Sequence, residues 1–443
     1  MSRDPESGFL WGAATAAFQV EGATNIDGRT PSIWDTFSKI PGKIATGETA
    51  DIGCDHYHQL EEDLDLLVTL GVNSYRFSIS WSRILPHDSL EVNPLGIDFY
   101  NKLIDGLIKR NITPVLTMYH WDLPQYLHDK GGWNSRDSVS WFEQYTEVLL
   151  THFGDRVHHW ITINEPHVIA WFGYYRGWFA PGIQDLQTSL NVAHHLLLAH
   201  GRATQIIHSA HPDSDVGISC GLTPVYPFSD AEEDIAAAAF MDAYDIRWFL
   251  DPIYGRGYPR EALERFKMTP PVMDGDLEVI STPTNFLGVN YYLKQTVKSE
   301  PSSPFFGVEG VDTPGTPVTE MGWEITPEGL PDLLIRLNED YPVGKIIITE
   351  NGSAWSDQVT DGAVHDPQRI QYLHAHLRSM NIAIAAGVPV AGYFAWSLLD
   401  NFEWTQGFSK RFGIVYVDFN DRSRIIKDSG RWYADYIRSQ KKV

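Results

Sequence analysis

Eight short, apolar, β-rich segments recur along the chain, each followed by a stretch of helical pattern. No other feature restricts the fold as strongly. The segments are Phe9–Thr15, Ser74–Ser80, Thr113–His120, Trp160–Asn164, Asp215–Gly221, Phe286–Tyr292, Lys345–Glu350 and Val390–Ser397. Several are near-continuous apolar runs, as strands covered on both faces should be. Between them lie helical patterns. Glu61, Glu62 and Asp63 open one, where acidic residues favour a helix N-terminus, and Leu64, Leu67, Val68 and Leu70 supply its apolar face. In another, Trp141, Phe142, Tyr145, Val148, Leu149 and Phe153 recur at helical spacing, and Gly154 follows as a C-cap.

This alternation predicts an α/β fold: a single (β/α)8 TIM barrel spanning residues 1–443, with long loops after strands 1, 5 and 6 over its mouth. A doubly wound open sheet is the structural alternative. It would carry a glycine-rich phosphate turn after its first strand, and Gly12-Ala-Ala-Thr lacks the GxGxxG spacing.

Composition narrows the partners. A net charge of −23 repels nucleic-acid phosphates and anionic membrane surfaces, so neither is expected. The 15 tryptophans offer flat faces suited to sugar rings. The two cysteines, Cys54 and Cys220, form no CxxC or Cys/His pattern and suit a reducing compartment. The segment from Met1 to Gly8 lacks the apolar core of a signal peptide, and no apolar run is long enough to span a bilayer. The sequons at Asn111 and Asn351 are therefore read as chance matches, and the expected location is the cytoplasm.

In a barrel of this kind, catalytic residues project from the C-terminal ends of strands. Strand 4 ends Thr162-Ile-Asn164-Glu165-Pro166, and strand 7 ends Ile348-Thr349-Glu350-Asn351-Gly352. Each sets a carboxylate straight after an apolar strand, where a lone glutamate could equally be a salt-bridged rim residue. Two carboxylates facing each other are what glycoside cleavage needs: one protonates the departing oxygen, and the other attacks or stabilises the cationic carbon. A metal site is the rival use. His56 and His58, His158 and His159, and His194 and His195 lack an HExxH-type spacing and read as packing residues. His120 follows a strand, where it can meet a substrate hydroxyl.

Six segments in chain order carry a resemblance to the β-glucosidases of glycoside hydrolase family 1, from Phe9 to about Tyr433. They are the run from Phe9 through Gln19 to Gly22, Tyr119-His120-Trp121-Asp-Leu-Pro, Thr162-Ile-Asn-Glu165-Pro, Gly288-Val-Asn290-Tyr-Tyr292, Ile348-Thr-Glu350-Asn-Gly and the run from Phe394 through Trp396 to Glu403-Trp404. The resemblance implies that Glu350 is the nucleophile and Glu165 the acid/base. It implies that Asn164 bonds the sugar 2-hydroxyl, and that Gln19, His120, Glu403 and Trp404, with Trp121 beside them, grip the other hydroxyls. Trp396 matches the floor on which the ring stacks. Tyr292 and Arg76 match residues that orient the nucleophile and keep it ionised, with Asn290 among the binding residues. Trp323 matches a less strict leaving-group subsite. The bland alternatives are core packing for Trp396 and Trp404, and a barrel-interior charge for Arg76 that would still need a carboxylate partner.

What the resemblance implies is a retaining β-glucosidase acting on cellobiose, short β-oligosaccharides or aryl β-glucosides, with β-galactosidase, β-fucosidase or transglycosylation activity beside it. Its partner is a small-molecule β-glucoside, and no cofactor or metal is required. Relatives acting on 6-phosphorylated sugars need a cationic or hydroxyl-lined seat, whereas the carboxylate of Glu403 would repel a phosphate; Lys410 and Arg411 keep that alternative open. Thioglucosidase relatives lack the acid/base glutamate, and a sugar-binding protein without catalysis would drop one carboxylate. Both are present here.

Overall fold

The computed structural model describes residues 8–440. The N-terminal residues 1–7, where the absence of a signal core was read, and residues 441–443 lie outside the described part. All eight expected strands form, with ends shifted by one or two residues: β1 Leu10–Ala14, β2 Ser74–Ser78, β3 Thr113–Tyr119, β4 His159–Asn164, β5 Asp215–Gly221, β6 Phe286–Asn290, β7 Lys345–Asn351 and β8 Val390–Trp396. They pair in parallel, each with its sequence neighbours, and β8 returns to β1 to close the barrel. Closure is in register from Leu10 opposite Gly392 to Ala14 opposite Trp396. Long helices cover the outside, among them Pro94–Lys109, Asp137–Phe153, Leu186–Ala210 and Pro367–Ala385. The burial of all five β2 residues accounts for the continuous apolar reading of such strands.

Apart from one shift between Ile346 and Ile347 in the β7–β8 pairing, the parallel ladders break their register where the polar residues begin. The β4–β5 pairing shifts between Ile161 and Asn164, the β6–β7 pairing between Ile348 and Glu350, and the β7–β8 pairing between Ile348 and Asn351. Such irregularities bend a strand and re-aim its side chains. Here they lie at the strand ends that carry Glu165 and Glu350.

Two local expectations need correcting, and a third holds with its own geometry. Val68 does not join the apolar face of its helix: it is half exposed, while the acidic Asp63 is fully buried in its place. Gly154 is the C-cap of its helix, as expected, and donates its N–H to the Leu150 carbonyl, in a right-handed conformation at φ −64°. Glycine is needed there for space, since a Cβ would sit 2.5 Å from His211 Nε2 and 2.6 Å from the Leu150 carbonyl oxygen. The stretches after β1, β5 and β6 are also more than loops. They hold short helices and a three-stranded sheet of Val225–Pro227, Gln295–Ser299 and Val308–Gly310. Among the described residues no helix is long and apolar enough to cross a membrane.

Asp63 shows why burial won over the helix-dipole reading. Its carboxylate bonds Arg424 through Nε at 2.8 Å and Nη2 at 3.0 Å, and His56 Nδ1 at 2.7 Å. Arg424 also donates to the Cys54 carbonyl oxygen at 2.7 Å, tying the β1–β2 connection to the segment after β8. Burial alone would raise the proton affinity of Asp63, but His56 and Arg424 hold it below the usual carboxylate range. A carboxylate of this kind contributes stability above its unfolded pKa that is lost as pH falls through its folded value. Asp63→Asn strands a buried guanidinium and is expected to cost about 3 kcal/mol in urea unfolding at pH 7. The deficit should narrow toward pH 3.

Candidate active site

Glu165 and Glu350 line one cavity of about 260 Å³ at the C-terminal end of the barrel. His120, Trp121, Asn290, Tyr292, Trp323, Trp396, Glu403 and Trp404 line it with them. Gln19, Asn164 and Arg76 are fully buried beside it, each bonded to a side chain of the lining. The strand ends and the loops and short helices that follow them thus bring the expected site residues to one cavity, with Trp323 half buried between Tyr292 and Phe412.

The two glutamates have unlike surroundings. Glu350 Oε1 accepts from Arg76 Nη1 at 2.6 Å, and Oε2 accepts from the Tyr292 hydroxyl at 2.7 Å. Among the described residues Glu165 Oε1 accepts from one neutral amide, Asn290 Nδ2, at 2.8 Å. Burial, and after it the charge of Glu350, pushes the Glu165 carboxyl up to about 8. Burial also raises Glu350, but Arg76 and Tyr292 oppose it. Near neutrality one proton therefore resides on Glu165 and the negative charge on Glu350.

Arg76 and two asparagines link these carboxylates. Arg76 Nη2 donates to Asn164 Oδ1 at 2.7 Å, and Asn290 Nδ2 donates to the same oxygen at 3.1 Å while also reaching Glu165. Asn290 Oδ1 accepts from the hydroxyls of Ser219 at 2.9 Å and Thr349 at 2.7 Å. Its hydrogen-bonding groups are thus engaged inside the protein. Asn164 Nδ2 donates to His120 Nε2 at 3.0 Å, which leaves one of its two N–H groups for a ligand.

Around the far side of the cavity the polar groups are left open. Gln19 Nε2 donates to Asn401 Oδ1 at 3.0 Å and to the Phe402 carbonyl at 2.9 Å, with a longer contact of 3.4 Å to Glu403 Oε2, while its Oε1 has no partner. His120 is held neutral by burial and by the nearby Arg76 charge, and its buried Nδ1 is also unpartnered. Burial and the charge of Glu350 push Glu403 up to about 8. Aromatic rings wall these groups in: Trp404 lies 4.5 Å from Trp121 and 4.6 Å from Trp34, and Trp396 stacks beside His120 at 5.9 Å. Unfilled acceptors and donors between indole faces suit a polyhydroxylated ring.

Three site residues adopt left-handed backbone conformations without being glycine: Trp121 at φ 79°, Glu165 at φ 47° and Trp404 at φ 47°. Each costs of order 1 kcal/mol and persists because its surroundings fix it. Glu165 is fixed by its amide, which donates to the Ser219 carbonyl at 2.7 Å, and Trp121 by its indole, which donates to the Asn164 carbonyl at 2.9 Å.

The rival chemistries fare less well. Lys410 binds the Glu320 carbonyl oxygen at 2.6 Å, Arg411 binds Asp400 Oδ2 at 2.7 Å, and neither lines the cavity. The lining includes no lysine or arginine to receive a phosphate. Four of the weighed histidines sit in structural pairs: His56 with Asp63, His58 with Asp55, His194 with Asp276 and His195 with the Trp133 carbonyl. Among the described residues no group of three or more His, Cys, Asp or Glu side chains is placed to hold a metal ion.

Sequence reasoning missed His167 and Gly221, which line the cavity beside Glu165. His167 follows the Asn164-Glu165-Pro166 run and was legible as its continuation. Gly221 gave no signal: a Cβ there would lie 2.6 Å from Glu165 Oε1 and 2.5 Å from His167 Cε1.

Comparison with known proteins places this geometry. The profile of a family described as glycosyl hydrolase family 1 matches residues 2–442. A protein of Thermotoga neapolitana named 1,4-beta-D-glucan glucohydrolase is 48% identical over 442 residues, 99% of each chain. Beta-glucosidase A of Acetivibrio thermocellus is 46% identical over 97% of each. Among solved structures, a Thermotoga maritima family 1 glycoside hydrolase complexed with a cyclophellitol-analogue transition-state mimic superposes with a TM-score of 0.95, at 47% identity and 98% coverage of both chains.

The asymmetry of the two carboxyls is testable without turnover. Glu350→Gln removes the charge that helps to raise Glu165. Carboxyl-carbon NMR titration of that variant is expected to show the Glu165 pKa falling by about one unit or more. An unchanged value would mean that burial alone sets it.

Proposed function

The chain belongs to glycosyl hydrolase family 1, and from that premise we propose a retaining β-glucosidase that removes terminal β-D-glucosyl residues by double displacement, working as one barrel domain. The observation that carries the reading is the unlike holding of the two glutamates: Glu350 by a guanidinium and a phenol, Glu165 by a single amide.

Glu350, ionised, attacks the anomeric carbon and forms a glycosyl–enzyme ester as the bond to the leaving oxygen breaks. Glu165 gives that oxygen its proton. Esterification removes the charge of Glu350 and with it part of what raises Glu165. Glu165 is then a better base for the water that cleaves the ester. Such a mechanism needs the carboxyl groups about 5–5.5 Å apart. Arg76 and Tyr292 hold the attacking oxygens in place and stabilise the carboxylate when it departs again. Gln19, His120 and Glu403 meet the sugar hydroxyls with groups the protein leaves unpaired, Trp396 and Trp404 bound the ring, and the free N–H of Asn164 meets the 2-hydroxyl. Trp323 and Trp121 flank the leaving group and the ring. Cellobiose, short β-oligosaccharides and aryl β-glucosides are the substrates this arrangement suits, with β-galactosides and β-fucosides as weaker ones and sugar acceptors competing with water. Two buried, free thiols suit a reducing cytoplasm, where imported cellobiose would be met.

Proton NMR of the reaction with 4-nitrophenyl β-D-glucoside should show β-glucose first, with the α-anomer rising only by mutarotation. Initial release of the α-anomer would end the double-displacement reading. Replacing Glu165 with Ala should slow cellobiose about 10²–10⁴-fold. The activated nitrophenyl substrate, which needs no proton for glycosylation, should then accumulate glycosyl-enzyme and show a pre-steady-state burst. An equal loss in every step would remove Glu165 from the acid/base role.

A further inference from the structure

Two left-handed residues, Trp404 at φ 47° and Gly407 at φ 59°, bend the chain after β8 into a tight turn. Glu403 stands at its start. The Glu403 amide donates to the Gly407 carbonyl oxygen at 2.7 Å, and its own carbonyl oxygen accepts from the Gln406 amide at 2.8 Å. The shape of this turn therefore sets where the Glu403 carboxyl and the Trp404 ring enter the cavity. A tryptophan in a left-handed conformation keeps it only where the surroundings enforce it.

Part of that enforcement comes from a segment 360 positions earlier in the chain. The stretch from Ile44 to Ala50 lies against the turn, with Ile44 and Ala50 buried and Ala45 to Glu48 exposed between them. The Ala45 amide donates to the Thr405 carbonyl oxygen at 2.8 Å. Glu48 Oε2 accepts from the Phe408 amide at 2.9 Å and from the Thr46 hydroxyl at 2.6 Å. Gly407 makes room for this approach: a Cβ there would lie 2.7 Å from Glu48 Oε2 and would collide with Thr46 Oγ1. Phe408, whose amide Glu48 caps, is seated on Phe402 at 5.3 Å and on Phe419 at 4.4 Å.

Glu48 is not part of the cavity lining. Its carboxylate acts on the backbone of the turn, and a charge-assisted bond of this kind is stronger than a neutral one. Because the residue is exposed, its removal leaves the barrel core intact and shifts a local equilibrium between the seated turn and a frayed one. Only the seated turn presents Glu403 and Trp404, so affinity for the sugar falls with its population.

We propose that Glu48 is a positioning residue for the sugar: its carboxylate holds the Glu403–Phe408 turn in the conformation that grips the glucosyl ring. The inference rests on the β-glucosidase reading above, in which Glu403 and Trp404 meet that ring.

A grip made with substrate and transition state alike raises KM and spares kcat when it is lost. Glu48→Ala should raise KM for 4-nitrophenyl β-D-glucoside about tenfold and keep kcat within about twofold. The inhibition constant of free glucose, which has no leaving group, should rise by the same factor, while the melting temperature stays within about 3 °C of wild type. Glu48→Gln, which keeps an acceptor for the Phe408 amide, should restore most of the wild-type KM. Thr46→Val removes the hydroxyl that holds Glu48 Oε2 and should raise KM about two- to threefold. An unchanged KM in Glu48→Ala, or a fall in kcat with KM and the glucose constant unmoved, would overturn the proposal. So would a KM for Glu48→Gln as high as that of Glu48→Ala. Should Glu48→Ala fail to fold, Thr46→Val decides, and a wild-type KM there would overturn the assignment. Inactivity of wild type on the nitrophenyl glucoside would instead bring down the β-glucosidase reading, and this inference with it.

Discussion

Arg76 is the interaction on which the mouth of the barrel depends. One guanidinium, 1% exposed, contacts three strands besides its own: Thr117 Oγ1 on β3 at 3.1 Å, Asn164 Oδ1 on β4 at 2.7 Å, and both the Thr349 carbonyl and Glu350 on β7. A buried ion pair is a poor source of net stability, because desolvating two charges offsets most of their attraction. What Arg76 provides is position. It fixes where negative charge can reside near neutrality, and through Asn164 and Asn290 it reaches the other carboxyl. The proton on Glu165 follows from its burial and from the negative charge that Arg76 keeps on Glu350.

The strained residues follow the same logic. Glu165, Trp121 and Trp404 lie in left-handed conformations that free chains avoid. Each is at the point where a strand or loop turns into the cavity, and each is fastened by its own or a neighbouring group. The register shifts on β4 and β7 perform a related task on the sheet side. Rigidity is concentrated around the two carboxyls, while the buried Gln19 Oε1 and His120 Nδ1 find no hydrogen-bond partner among the described residues.

Much of this was legible in the sequence because burial on both faces writes strands as unbroken apolar runs. A polar residue that ends such a run then stands out, as Glu165, Glu350 and His120 do. What escaped depends on contacts between distant segments. The demand for glycine at 154 comes from His211, and at 221 from Glu165 and His167, so neither has a local signature. Val68 fits the helical period but is left outside, while Asp63 is drawn in by Arg424, 361 positions away. The π-helix Val168–Tyr175 was invisible because the segment is apolar at any helical pitch. Ser219 and Thr349, which hold Asn290, look like ordinary strand residues until their strands are adjacent.

The order of strands around the barrel sets when the site can exist. Gln19 follows the first strand and Glu403 the last, and they meet only because β8 pairs with β1. A chain emerging from the ribosome acquires Arg76, Glu165 and Glu350 in turn, yet it lacks the contact between Gln19 and Glu403 until β8 has been made and docked. Completion of the cavity is therefore a late event in biosynthesis, and it reports that the first and last strands of the barrel have joined.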